Sequence, residues 1–178
     1  LKFLLKSRRL TSIERCSNTV HIQKTTVADH SYYVTLFALI FAELENDRIG
    51  AYKTDESKYD IKEVLKKAVI HDIEESETGD ILFPVKHNPE LKDIFTQLID
   101  TVVNEALFKE IPFEIRDKFT KLWKESKDNS KEGRLISAID KFELLIFCIT
   151  EMQLGNRAVI PIFNTAIQII VKDYPEIR

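Results

Sequence analysis

The 178-residue chain is long enough for one domain with a sizeable core, and its 44% apolar and 31% charged residues are those of an ordinary globular protein. Only 4 Gly and 5 Pro argue against a loop-rich all-β fold and for long helices, while a net charge of −3 gives no general attraction to nucleic acid polymers or anionic membranes. No apolar run reaches membrane-spanning length, and two cysteines, Cys16 and Cys148, are too few for a disulfide scaffold and read as reduced thiols of a cytoplasmic protein.

LKFLLKSRRL reads as an amphipathic first helix with no cleavable signal pattern after it, and the lack of an initial Met suggests a trimmed or incomplete start. Thr26 and Asp29 form a capping-box variant, and SYYVTLFALIFAEL after them is apolar almost all round. This predicts a helix over 27–45, buried on most sides, with a polar surface loop over 46–59. Asp60 with Glu63 caps a further helix that carries Ile61, Val64, Leu65, Ala68, Asp72 and Glu75 down one face and stops at Gly79. GDILFPVKHNP is a connection, ELKDIFTQLIDTVVNEALF a long helix, and FEIRDKFTKLWKES a shorter one after Pro112. KDNSKEG is a turn, GRLISAIDKFELLIFCITEMQL a strongly apolar helix, and AVIPIFNTAIQIIVKDY the closing helix. The expected fold is all-α, about six or seven helices in one bundle that forms one domain over 1–178.

Three features break this patterning: His30 at the start of a buried helix, the His71–Asp72 pair at the end of another, and Asp140 beside Ile136, Leu144 and Phe147. Each alone has an ordinary explanation. His30 could be a satisfied core histidine, His71–Asp72 a solvated helix end, and Asp140 the partner of a neighbouring cation. Together they place two imidazoles and two carboxylates where apolar residues belong, which is costly unless they are paired or metal-bound. That donor set suits one divalent cation; Mn²⁺ and Co²⁺ lead, and Fe²⁺, Ni²⁺, Zn²⁺ and Mg²⁺ are further candidates. Only His21 and His87 remain, so a His-rich binuclear centre is not indicated. Glu75 lies four residues after His71 and, in a continuing helix, points the same way, able to take or give a proton. Glu74 and Glu77 point elsewhere and are expected to be exposed.

The pattern H…HD…D, carried by His30, His71–Asp72 and Asp140, resembles the HD-domain metal-dependent phosphohydrolases. TVADHSYYV, AVIHDIEESETGDILFPVK and SAIDKFELLIFCITEMQLGN are similar to segments of the bacterial YfbR-like 5′-deoxynucleotidases. The resemblance implies hydrolysis of deoxyribonucleoside 5′-monophosphates to deoxynucleoside and phosphate, with one divalent cation, in an all-α homodimer. It implies His30, His71, Asp72 and Asp140 as metal ligands, Glu75 as catalytic acid or base with Asp72 as the other candidate for proton transfer, and Arg15 on the phosphate. It also implies Asp80 facing the sugar and Cys16, His71 and Phe83 on the substrate. Cys16 stands where the family has a tryptophan, and Asp80-Ile81-Leu82-Phe83 where it has Asp-Leu-Pro-Thr; Phe83 could replace the lost stacking surface. Lys24 and Lys86 could meet further phosphates or be exposed lysines.

Other readings on the same scaffold are a deoxynucleoside triphosphate triphosphohydrolase and a non-catalytic nucleotide-binding HD module. Guanosine tetraphosphate hydrolases carry an acidic pair where this chain has Glu75-Ser76, which argues against that activity. A purely structural bundle leaves Asp140 without an explanation.

Overall fold

Helix α2 (Val27–Gly50) is the axis of the bundle, and its sequence shows why. Val34, Ala38 and Ala42 recur at helical spacing and are fully buried, and the two alanines let neighbouring helices approach closely. Against them pack α3 (Ile61–Ile70), through Val64 and Ala68, and α7 (Lys131–Gln153), through Leu135, Ile136 and Ile139. The computed structural model describes residues 1–50, 58–81, 86 and 88–175.

A second apolar cluster lies at the other end. Val27, Ile70 and Ile73 meet Leu10, Val103, Leu107 and Phe108, with Phe3 and Trp123 at its edge. It joins α1 (Lys2–Ser7) and the tight turn Arg8–Ser12 to α4 (Glu75–Thr78), to α5 (Lys92–Val102) with its continuation to Glu110, and to α6 (Phe113–Lys124). Helix α8 (Ile160–Asp173) packs along α7. Among the described residues the only β pairing is one isolated bridge between Glu14 and Thr26, so the all-α expectation holds. Among them, too, no helix is long and apolar enough to cross a membrane.

The caps read from sequence are present. The Thr26 amide donates to Asp29 Oδ2 (2.9 Å) and the Asp29 amide to Thr26 Oγ1 (3.2 Å), while Asp60 accepts from the amides of Lys62 and Glu63. Gly79, at φ +73°, takes the left-handed region expected after a helix end.

Element boundaries differ in four places. Helix α2 continues to Gly50 instead of stopping at 45; Asn46 is helical, its side-chain amide donates to the Tyr59 carbonyl and accepts from the Tyr59 amide, and Arg48 pairs with Glu45 at i,i+3. The part of the expected loop over 51–57 lies outside the described residues. Helix α3 ends at Ile70, not near Gly79: the Ile73, Glu75 and Ser76 amides bond carbonyls three residues back, a tighter turn than an α-helix. The long helix expected over 90–108 gives way after Val102 to a wider π turn over Val103–Leu107. Helix α7 begins at Lys131, inside the expected turn, because the Ser130 hydroxyl caps the Gly133 amide at 3.1 Å.

Gly133 is packed against the turn before it. A Cβ there would lie 2.6 Å from the Asp128 carbonyl oxygen and 2.7 Å from the Asp128 amide, both of them backbone atoms. Gly133→Ala is expected to destabilise the protein by about 1–3 kcal/mol through overpacking, despite alanine's better helix propensity. Thermal unfolding of the two proteins measures this, and an unchanged or raised Tm would show that the turn gives way freely.

Candidate active site

The two apolar clusters meet along a seam, and the polar residues sit in it. His30 lies between Val27 of one cluster and Val34 of the other; His71 follows Ile70, and Asp140 follows Ile139. His30, His71, Asp72 and Asp140 are all buried, and one donor atom from each falls within 4.8 Å of all the others. Their separations are short. His30 Nε2 is 3.4 Å from His71 Nε2, 3.4 Å from Asp72 Oδ2 and 3.2 Å from Asp140 Oδ1, and His71 Nε2 is 3.1 Å from Asp72 Oδ2.

The other ring nitrogens explain the orientation. His71 Nδ1 donates to the Ala68 carbonyl at 2.6 Å, and His30 Nδ1 donates to Glu143 Oε2 at 2.5 Å. Each bond leaves the Nε2 of its ring turned toward the common point. Two ring nitrogens and two carboxylate oxygens crowded at one point repel one another unless a proton or a metal cation lies among them. Donor atoms sharing one cation at about 2.1 Å stand about 3 Å apart across a right angle, which is the spacing found here. The donor set therefore fits one divalent cation.

The protonation states follow from the same field. Burial lowers the pKa of His71 and so disfavours a charge on its ring. Burial and the Arg15 guanidinium work against a charge on His30, but its bonds to Asp140, Asp72 and Glu143 outweigh them and push its pKa up to about 10. Burial opposes ionisation of Asp72 and Asp140 too. His71 and Lys127 nonetheless hold Asp72 well below the usual carboxylate range, and Lys127 and Lys141 do the same for Asp140.

Glu75 reaches this region from the first residue of α4. It is buried, its Oε1 is 3.9 Å from Lys86, and its Oε2 has no hydrogen-bond partner among the described residues. Burial first, then the charge of Asp72, pushes its pKa up to about 8. Arg15 is half-buried and close enough to Glu143, Asp140 and Asp72 to feel all three charges. The Cys16 amide donates to Asp80 Oδ2 at 2.9 Å, with Cys16 at φ +53°, so Asp80 fixes the turn that presents Arg15. Arg15, Cys16, His71, Asp72, Glu75, Asp80 and Asp140 all line one cavity of about 940 Å³. Phe83 lies outside the described residues.

Two expectations fail. Glu74 is buried and accepts from Trp123 Nε1 at 2.8 Å, and Glu77 pairs with Lys6 (3.1 Å) and Arg9 (3.0 Å). The tightened turn after Ile70 carries every side chain from Ile70 to Ser76 inward, so the acidic run is not a solvated helix end. Sequence reasoning also missed Glu143, whose signal was an acid three residues after Asp140 in an apolar helix. It missed Lys127 as well, in a polar turn that gave no signal.

Solved structures share the arrangement of helices. An HD-domain phosphohydrolase from Listeria innocua is 30% identical, with a TM-score of 0.84 over 99% of this chain and 81% of that one. The fold and its buried His–Asp seam are those of an HD-domain phosphohydrolase. Among curated proteins, a 5′-deoxynucleotidase from Photorhabdus laumondii is 26% identical over 166 residues, 93% of this chain and 79% of that protein. The 5′-deoxynucleotidase YfbR of Escherichia coli K12 is 26% identical over 87% of this chain and 75% of its own length. The profile described as 5′-deoxynucleotidase YfbR-like matches residues 2–177, and the chain belongs to that family.

Glu143→Gln removes the charge that His30 Nδ1–H donates to, while keeping the shape. It is expected to weaken Mn²⁺ affinity about 10–100-fold with little loss of helicity. Asp140→Ala is expected to abolish stoichiometric metal binding. Metal titration followed by elemental analysis checks both, and full metal retention in Asp140→Ala would remove Asp140 from the donor set.

Proposed function

We propose that the chain hydrolyses deoxyribonucleoside 5′-monophosphates at a single divalent cation held by His30, His71, Asp72 and Asp140. Mn²⁺ or Co²⁺ is the favoured ion. When bound, such a cation polarises a phosphoryl oxygen and acidifies water. The observation that carries the reading is Glu75: a buried carboxylate with one oxygen unpartnered among the described residues, in the same cavity as three of the four donors, His71, Asp72 and Asp140. A nucleotide-binding module has no use for such a group, whereas a hydrolase needs one whose pKa stands near working pH.

The roles follow from position. Glu75 moves the proton between attacking water and the departing 5′ oxygen, with Asp72 the other carboxylate at hand. Arg15 orients the phosphate, for which a guanidinium has the matching geometry. Asp80 spends Oδ2 on the Cys16 amide, which leaves Oδ1 for a sugar hydroxyl. Cys16 and His71 complete the substrate contacts. The whole chain acts as one HD domain; the family match over residues 2–177 supports this. The free thiols of Cys16 and Cys148 support a cytoplasmic setting. A homodimer is supported by apolar side chains left exposed on α2 (Tyr33, Ile40, Leu44) and α8 (Ile160, Ile167).

The test is a product assay with dAMP, AMP and dATP offered to the Mn²⁺- or Co²⁺-loaded protein. Free phosphate from dAMP but not from AMP is the expected result; triphosphate released from dATP would move the protein to the triphosphohydrolases. Glu75→Gln is expected to keep its metal and lose about 10²–10⁴-fold in turnover. Full activity in that variant would return the proton transfer to Asp72.

A further inference from the structure

Lys127 lies in the turn between α6 and α7, and its Nζ is 2.9 Å from Asp72 Oδ1 and 2.9 Å from Asp140 Oδ2. Those are the oxygens that the four-donor cluster does not use: Asp72 turns Oδ2, and Asp140 turns Oδ1, toward His30. Both carboxylates thus bridge the metal position to an ammonium, much as carboxylates bridge two ions in a two-metal site. His21, the other described histidine, is engaged with Glu14 at 2.9 Å and cannot serve a second ion here.

From this geometry we infer that Lys127 is a built-in second cation of the active site, and that it binds the phosphoryl group of the substrate. The inference rests on the phosphohydrolase reading above. An ammonium has three N–H donors; two go to Asp72 and Asp140, and Lys127 lines the cavity, so the third is available to a tetrahedral oxyanion. Charge balance points the same way. The carboxylates of Asp72, Asp140 and Glu143 are matched by Arg15, Lys127 and Lys141, which all act on this cluster. Metal ligation requires both imidazoles neutral, so the two charges of a bound divalent cation would remain uncompensated and would suit a phosphomonoester dianion.

The position of Lys127 is constructed. Buried Lys67 donates to the Glu125 carbonyl and to Asp128 Oδ1 (3.0 Å), the Ser130 amide donates to the same Asp128 oxygen (3.1 Å), and Gly133 packs against Asp128. A lysine whose whole turn is pinned on both sides loses little entropy in meeting a ligand.

The experiment compares wild type with Lys127→Met and Lys127→Gln, the second keeping an N–H donor without charge. Each Mn²⁺-loaded protein is assayed for metal content, for inorganic phosphate affinity by calorimetry, and for kcat and KM on dAMP. Both variants are expected to keep one metal per chain, to bind phosphate at least about tenfold more weakly, and to lose about 10²-fold in kcat/KM. Unchanged phosphate affinity and kcat/KM in both would overturn the inference and leave Lys127 as a neutraliser of the two aspartates. Loss of metal from both would overturn it too, making Lys127 a support of the donor cluster. If wild type cleaves no nucleotide, yet phosphate binding still weakens in both variants, the substrate reading falls and Lys127 stands.

Discussion

Two imidazole nitrogens held 3.4 Å apart inside a protein, with two carboxylate oxygens closing on them, are an arrangement that no apolar packing would tolerate by itself. The surrounding structure is organised to impose it. Glu143 and the Ala68 carbonyl set which nitrogen of each ring carries the proton. Arg15, Lys127 and Lys141 surround the carboxylates with positive charge. The alanines of α2 and α3 let the helices come close enough for the four side chains to meet. The break in α3 at Ile70 belongs to the same requirement: a straight helix would carry Glu74 and Glu75 to different faces, and the tightened turn buries both.

Much of this was legible because the anomaly is local. A charged residue inside an apolar stripe stands out without knowledge of its partners, and His30, Asp72 and Asp140 did so. Capping residues were readable for the same reason, since Asp60 and Thr26 act on amides two or three residues away. What escaped depends on distant contacts. Glu74 looked solvated because its neighbours are acidic, yet its partner is Trp123, 49 residues on. Lys127 sits in a polar turn whose position is set by Lys67, 61 residues before Asp128. Glu143 falls between: its spacing from Asp140 was visible, but its hold on His30 joins two helices that only packing brings together.

The segment around Arg15 is built on a different principle, with side chains holding backbone. Glu151 is fully buried, and its carboxylate accepts the amides of Ile22 (2.7 Å) and Gln23 (2.8 Å) as well as the Asn156 side chain (2.7 Å). Burial opposes its charge, but these bonds outweigh burial and hold its pKa below the usual range. Asp80 does the same for the Cys16 amide, and the Arg15 amide and Val27 amide bond the carbonyls of Thr25 and Ile13. The segment that presents Arg15 is therefore fixed at both ends by groups that grip its main chain. A residue at position 16 can change from a large ring to a thiol without moving the guanidinium beside it. On the proposed roles of Arg15 and position 16, phosphate recognition and sugar recognition are mechanically separate, because the anchors of the first are indifferent to the side chain that serves the second.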